Sequence, residues 1–502
     1  MGGGLPVTVF DPSYEPREGL THRDADWSGL SVLVVGLGVS GFAAADALAE
    51  RGARVVAVSR DSTDAITERA TILDILGVDV RLGAEHVVDV PEGTELVVTS
   101  PGVPPHDPLM LSAATRGVPV WGEVELAWRM RAREGAAPWL TVTGTNGKTT
   151  TVRMLASILQ HAGLRATAAG NVGTPLLEAV LHPEPYDVLA VELSSFQLHW
   201  QRSVSAVASA VLNVAPDHLD WHGGYAEYLR AKGRIYDNTH LACVYNVADV
   251  QTEQLVMDAE VVDGCRAVGF TMGIPAPSMI GIVDDVLADR AFVEQRQRSA
   301  AELCTVADLQ GDGPPVPPHV VANALAAAAL ARAYGVGPIA VRDGLRAFRP
   351  ERHRIAELAT VRGVRYVNDS KATNPHAAAA ALGSFDSVVW VAGGLLKGAD
   401  VDALVEEMAS RLRGVVLIGR DREQIAQALE RHAPDVPVVD IADTETGVMD
   451  LVVAQAARLA QPGDVVLLAP AAASMDMFTD YGARGDAFEE AVRRLALAGD
   501  DE

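Results

Sequence analysis

The run Thr143-Gly144-Thr145-Asn146-Gly147-Lys148-Thr149-Thr150 follows the apolar segment Trp139-Leu140-Thr141-Val142 and precedes the helical pattern Thr151-Val152-Arg153-Met154-Leu155-Ala156. A glycine-rich turn between a strand and a helix is the signature of a phosphate-gripping loop in an α/β sheet. Its glycines let several backbone N–H groups face one polyanion, and the helix N-terminus adds positive potential. Lys148 supplies a mobile charge and Thr149 a hydroxyl for Mg²⁺. The strict phosphate-loop spacing asks for a glycine where Val142 stands, so the accompanying motifs decide between a triphosphate site and a plain Gly-Lys-Thr helix cap.

At 502 residues the chain exceeds one hydrophobic core, and its length suggests roughly three domains. Apolar residues make up 49% and charged ones 21%, an ordinary globular balance. The net charge of −25, from 41 Lys and Arg against 66 Asp and Glu, repels nucleic acid, so an anionic nucleotide must be gripped locally. Cys243, Cys265 and Cys304 form neither a disulfide framework nor metal-type spacing, which fits a reducing cytoplasm. Residues 1–26 lack the continuous apolar core of a signal peptide and are expected to form a flexible extension. The alanine-rich stretch Val320 to Val336 is interrupted by Asn323 and Arg332 and is too short and small-sided to span a bilayer, so no membrane insertion is expected.

The first segment, 27–137, opens with Ser31-Val32-Leu33-Val34-Val35, the turn Gly36-Leu37-Gly38-Val39-Ser40-Gly41, helical rhythm from Phe42 to Arg51, and Ala53 to Val58, which is a βαβ unit. Strands at Leu96–Thr99 and Val118–Trp121 continue it. The second segment, 138–349, holds the phosphate loop, strands near Val188–Glu192 and Ala210–Asn213, a proline-rich loop at Gly311–Pro318, and the alanine-rich helix. The third, 350–502, reads as strands at Tyr366–Asn368, Ser387–Val391, Gly414–Ile418 and Asp464–Leu468, with helices such as Val401 to Arg413. The expected fold is α/β in three domains: a Rossmann-like N-terminal domain, a central P-loop ATPase-like domain and a Rossmann-like C-terminal domain.

A complete GxGxxG turn commonly serves NAD or FAD, with an acidic residue at the end of the second strand holding the ribose. Here that strand ends Val58-Ser59-Arg60, which disfavours a dinucleotide and leaves another diphosphate, such as a nucleotide sugar, or simple helix packing. Glu192 ends the strand Val188-Leu189-Ala190-Val191, where a nucleotide-bound Mg²⁺ needs a carboxylate. Asn213 likewise ends a strand and leads into the polar cluster Asp217-His218-Leu219-Asp220.

The set GTNGKT, GNVG at Gly170–Gly173, ELSSFQL at Glu192–Leu198 and NVAPDHLD at Asn213–Asp220 resembles the Mur ligases, ATP-dependent enzymes that build the peptide stem of peptidoglycan. The runs Asn368 to Asn374, Gly393 to Gly398 and Pro470 to Phe478 resemble the family members that add D-glutamate to UDP-N-acetylmuramoyl-L-alanine. The resemblance implies ATP contacts at Gly144, Thr145, Asn146, Gly147, Lys148, Thr149, Thr150, Asn323, Arg354 and Asp369. It implies two Mg²⁺ ions, held by Thr149, Glu192, His218 and Lys232, the last as a carbamate. A lysine ammonium beside Mg²⁺ is repelled, whereas an amine that captures CO₂ becomes an anionic oxygen ligand.

UDP-sugar contacts are implied at Val39, Ser40, Ser59, Arg60, Ser100, Pro101, Gly102, Asn171 and Gln197, and D-glutamate contacts at Lys371, Thr373, Lys397, Ser474 and Tyr481. Lys148, His218, Lys232 and Arg354 are the implied catalytic set. The chain departs from the family at Val320, which usually is asparagine, at Val58, usually aspartate, and at Tyr481, commonly phenylalanine. ATP would phosphorylate a substrate carboxylate, and an amine would attack the acyl phosphate. A monomer acting on small molecules in the cytoplasm is expected. The alternatives are another ligase of the family, a folylpolyglutamate synthetase-like ligase, which the full GxGxxG argues against, and a nicotinamide oxidoreductase.

Overall fold

The computed structural model describes residues 15–310, 316–349, 352–442 and 446–499. Two compact units are present, one comprising residues up to Val214 with Trp221–Phe348, the other Ala215–Asp220 with the chain from Arg349 onward. The first unit contains two sheets and the second unit one.

The five-stranded sheet runs Asp79–Leu82, Arg54–Ser59, Ser31–Val35, Leu96–Thr99, Val120–Gly122, all parallel. Its central strand is buried throughout except at Ser31, as a strand covered by helices on both faces must be. The GxGxxG turn follows that strand, and helix Val39–Glu50 follows the turn. A Cβ on Gly41 would lie 1.8 Å from the Gly36 carbonyl oxygen, so only glycine lets the helix start so close to the strand end.

The second sheet has nine strands. Trp139–Thr143 sits between Val188–Glu192 and Ala208–Val211, all parallel. At the far edge Met279–Val283, Val286–Asp289 and Ala301–Thr305 add antiparallel strands that the sequence pattern did not reveal. Helices Lys148–His161 and Pro318–Ala333 pack on this sheet, with Leu155, Ile158, Leu325 and Ala328 in one buried cluster with Leu140 and Val142. The alanine-rich stretch is therefore a core helix whose small side chains permit close approach. Among the described residues no helix is long and apolar enough to cross a membrane.

Residues 15–26, expected within a flexible extension, are instead anchored. Arg17 pairs with Glu95 at 2.9 Å, Arg129 pairs with Glu15 at 2.6 Å, and Leu20 and Trp27 are buried in the core shared by the two sheets of this unit. Residues 1–14, also part of that expectation, lie outside the described residues.

The second unit's sheet runs Ala356–Val361, Val364–Asn368, Val465–Leu468, Val388–Gly393, Leu412–Ile418, Val438–Asp440. Only the pair formed by the first two is antiparallel. The helix expected over Val401 to Arg413 ends at Met408; after a short 3₁₀ turn, Leu412 and Arg413 already belong to the next strand.

Candidate active site

The phosphate loop is braced from below. Asn213 Oδ1 accepts from Asn146 N at 2.8 Å, its Nδ2 donates to Asn146 O at 3.1 Å, and its carbonyl accepts from Thr145 N at 3.0 Å. Thr145 Oγ1 and Tyr228 Oη lie 2.7 Å apart and fix the loop from the other side. Gly147 adopts φ +83°, and a Cβ there would meet Asn323 Oδ1 at 2.3 Å, so Asn323 lies directly against the loop. Lys148 opens helix Lys148–His161 with Thr149 and Thr150 buried behind it.

Two ammonium groups converge on one oxygen. Lys148 Nζ donates to the carbonyls of Gly144 and Thr145 at 2.9 Å each, and the buried Lys232 Nζ donates to Gly144 O at 2.8 Å. Lys232 also lies 4.8 Å from the Tyr228 ring centroid. Glu192 is buried at the end of its strand, with Oε1 accepting from Asn171 Nδ2 at 2.8 Å; Oε2 has no hydrogen-bond partner among the described residues. An orphaned, buried carboxylate oxygen fits a divalent cation, because desolvating it without compensation is costly. Gln197 closes a capping box with Ser194, its amide oxygen accepting from Ser194 N at 2.9 Å.

At the five-stranded sheet, Val39 and Ser40 form the first turn of a helix whose N-cap, Gly38, offers no side-chain cap, so the helix N-terminus is available to an anion. Ser100 Oγ donates to Gly36 O at 3.1 Å, which brings Ser100-Pro101-Gly102 beside the GxGxxG turn. Trp221 Nε1 donates to Gly102 O at 3.2 Å. Ser59 is buried at its strand end, and the exposed Arg60 reaches Asp107 at 3.2 Å.

His218, Arg354, Asp369 and the amino-acid candidates belong to the second unit. His218 has left-handed backbone, φ 52°, and Nε2 lies 3.6 Å from Asp217 Oδ2. Burial pushes the Asp369 carboxyl up to about 7, against the opposing pull of the Arg354 guanidinium and a 3.3 Å hydrogen bond from Ile355 N. Lys371 Nζ lies 3.9 Å from the Tyr481 ring centroid. Leu395 and Ala473 exchange backbone hydrogen bonds of 2.8 and 2.9 Å, which brings the run carrying Lys397 to the run carrying the buried Ser474. Thr373 follows Lys371 in a tight turn closed by a 2.8 Å bond between their backbones.

Sequence reasoning missed three supports: Asn213 as a splint, Tyr228, and Arg484. Arg484 is buried and donates to Ser370 Oγ at 3.0 Å, Ser370 O at 2.9 Å and Ala472 O at 3.0 Å, and burial pushes its guanidinium down to about 9. An arginine in a helical stretch gives no local sign that it is buried.

Three family models match in succession: Mur ligase MurD-like, N-terminal domain over residues 30–122; Mur ligase middle domain over 142–331; and Mur ligase, glutamate ligase domain over 353–472. The chain belongs to the Mur ligase family. It is 61% identical over 470 residues, covering 94% of this chain and 99% of the relative, to the UDP-N-acetylmuramoylalanine–D-glutamate ligase of Streptomyces avermitilis. It is 51% identical over 508 residues to the ligase of the same name from Leifsonia xyli, covering 98% and 97%. Within the family it therefore falls in the MurD group. The fold is similar to that of UDP-N-acetylmuramate-alanine ligase MurC from Thermotoga maritima, at TM-score 0.54 and 19% identity, covering 93% of this chain and 99% of that one.

Proposed function

We propose that this chain is an ATP-dependent, ADP-forming ligase that joins D-glutamate to UDP-N-acetylmuramoyl-L-alanine as a cytoplasmic monomer. The observation that carries the reading is the braced phosphate loop with Lys148 and Lys232 on one carbonyl. The extent of identity to ligases of that name supports the choice of substrates. The proposed domain boundaries are 27–137 for the UDP-sugar, 138–349 for ATP and 350–502 for the amino acid.

The γ-phosphoryl group passes from ATP to a carboxylate oxygen of the alanyl substrate, and ADP is left behind. The D-glutamate nitrogen then attacks the acyl carbon, phosphate departs with the former carboxylate oxygen, and the amine gives up a proton. A carboxylate is a poor acyl donor; phosphorylation supplies the leaving group. The protein's share is alignment and charge compensation. Backbone N–H groups of Gly144–Thr150 and the Lys148 ammonium hold the triphosphate, with Asn323 at the adenine and Asp369 at the ribose. Arg354 would supply a further compensating charge to the transferred phosphoryl group.

Thr149 and Glu192 would hold a Mg²⁺ ion, His218 and a carbamylated Lys232 are the further proposed ligands for a second, and the cations would neutralise phosphate charge. Val39, Ser40, Ser59, Arg60 and Ser100–Gly102 hold the uridine diphosphate, with Asn171 and Gln197 nearer the sugar. Lys371, Thr373, Lys397 and Ser474 receive the two carboxylates of D-glutamate through charge-assisted bonds, under Tyr481.

The test is phosphate release from ATP and UDP-N-acetylmuramoyl-L-alanine with each acceptor amino acid supplied separately. D-Glutamate alone is expected to support turnover, and Lys148→Ala to abolish ADP formation. Turnover with L-lysine or meso-diaminopimelate but not D-glutamate, or a near-normal Lys148→Ala enzyme, refutes the reading.

A further inference from the structure

Helix Glu123–Arg129 follows the last strand of the five-stranded sheet and buries two carboxylates that the chemistry above does not use, Glu123 and Glu125. Glu125 is fully satisfied: it accepts from Arg129 Nε at 2.6 Å, Ser203 Oγ at 2.6 Å, Ser203 N at 2.9 Å and Arg202 N at 2.7 Å. It thereby holds the segment just past the helix Ser195–His199.

Glu123 reaches a different segment. Its Oε1 accepts from Leu177 N at 3.1 Å, and the carboxylate also faces the N–H of Leu176. Those are the first two residues of helix Leu176–Leu181, whose own N-cap is Pro175 and which has no side-chain cap hydrogen bond of its own. The acceptor that a serine, threonine, aspartate or asparagine would ordinarily provide in place is supplied from a different sheet's helix.

Glu178 acts on this buried group repulsively, whereas the backbone N–H groups of Leu177 and Leu176 at the helix N-terminus favour its charge. An apolar side chain would fill the same space at lower desolvation cost; only an acceptor provides the cap. The capped helix begins directly after the Gly170–Pro175 turn. There Gly170 N donates to Thr174 O at 3.0 Å and Asn171 N donates to Glu192 O at 2.9 Å, while Asn171 Nδ2 holds Glu192 Oε1.

We propose that Glu123 is a positioning residue: by capping Leu176–Leu181 it fixes the Gly170–Pro175 turn, and with it the seating of Asn171 on Glu192. It couples the sheet assigned to the UDP-sugar to the carboxylate assigned to the nucleotide cation. Only the enzymatic part of the test rests on the ligase reading.

The variants are Glu123→Met, which fills the volume without an acceptor, Glu123→Gln, which keeps one, and Glu123→Met with Pro175→Asp, which restores a cap in place. Loss of a helix cap translates to about fivefold in an equilibrium. Glu123→Met is expected to raise the KM for UDP-N-acetylmuramoyl-L-alanine and the Mg²⁺ needed for half-maximal rate by about that factor, with the KM for D-glutamate unchanged. Glu123→Gln and the double variant are expected to return both toward the parent values. Unchanged constants in Glu123→Met, or a defect that neither second change repairs, overturns the inference.

Amide exchange at Leu176 and Leu177 gives a readout independent of turnover. It is expected to quicken about fivefold in Glu123→Met and to recover in the double variant. If the parent chain releases no phosphate with these substrates the ligase reading fails, while exchange still decides the role of Glu123.

Discussion

Replacing Asp369 by asparagine should stabilise the second unit while damaging nucleotide use. The carboxyl is buried, and burial raises it from an ordinary 3.8 to about 7. At ~1.4 kcal/mol for each tenfold change, keeping it ionised in the folded unit costs about 4 kcal/mol. The sign follows from proton uptake. Between pH 4 and 7 the folded unit binds the proton more tightly than the unfolded chain does, so its stability falls as pH rises through that window, and the full cost is reached above pH 7. The asparagine side chain carries no such charge and keeps an oxygen to accept from Ile355 N. The assay is amide exchange in the buried strand Val388–Gly393, which reports opening of this unit alone. After correction for intrinsic rates, Asp369→Asn should exchange up to about a thousandfold more slowly than the parent at pH 8 and at nearly the parent rate at pH 4. Equal protection at pH 8 refutes the reasoning. ATP turnover should fall in the same variant, because the proposed ribose partner is lost; a stability cost carried by a side chain with that role is the expected trade.

Gly147→Ala should weaken ADP binding by at least ~tenfold in calorimetric titration, since a left-handed φ of 83° and a Cβ 2.3 Å from Asn323 Oδ1 both oppose it; unaltered affinity would show that the loop can relax. Tyr228→Phe removes the partner of Thr145 Oγ1 and should raise the KM for ATP roughly fivefold with the fold intact, as judged by an unshifted thermal transition. Chelation by EDTA should stop ADP formation while leaving the Kd for the UDP-sugar, measured by calorimetry, within about twofold, because the contacts proposed at Val39, Ser40 and Ser100–Gly102 are made by backbone and hydroxyl groups and need no cation.

The phosphate loop was legible because its chemistry is contiguous: glycines, lysine and threonine stand in one run at a strand end. Glu192 was legible for a related reason, as a carboxylate closing an otherwise apolar strand. Its braces were not, since Asn213 reaches Asn146 across 67 positions and Tyr228 reaches Thr145 across 83, contacts that only the folded sheet creates. The packing of residues 15–26 was hidden similarly, because polar, proline-containing sequence reads as loose until Arg17 and Glu15 meet Glu95 and Arg129. At Met408 the helical rhythm misled, as Leu412 and Arg413 carry no local signal of the strand that sheet pairing imposes on them. The antiparallel strands Met279–Val283 and Val286–Asp289 are short and joined by the polar pair Asp284-Asp285, a pattern too brief for alternation to register.

The shared oxygen of Gly144 ties these levels together. Lys148 and Lys232 both donate to it, so two positive charges stand within a few ångströms of each other inside the protein. At an effective dielectric of about 20 their repulsion amounts to about 3 kcal/mol. Two changes reverse that sign: a polyphosphate entering the loop between them, or the proposed addition of CO₂ to Lys232. In the second, the ammonium first gives up a proton, the neutral nitrogen forms a bond to the carbon of CO₂ and a second proton leaves it, so a cation becomes a carbamate anion facing the Lys148 ammonium. The pair then passes from repulsive to attractive. Mass spectrometry under CO₂-saturated, mildly basic conditions should therefore find an adduct of one CO₂ on Lys232 in the parent and less of it in Lys148→Ala, since removing the cation removes the attraction. Equal occupancy in the two would mean that the carbamate, where it forms, owes nothing to the phosphate-loop lysine.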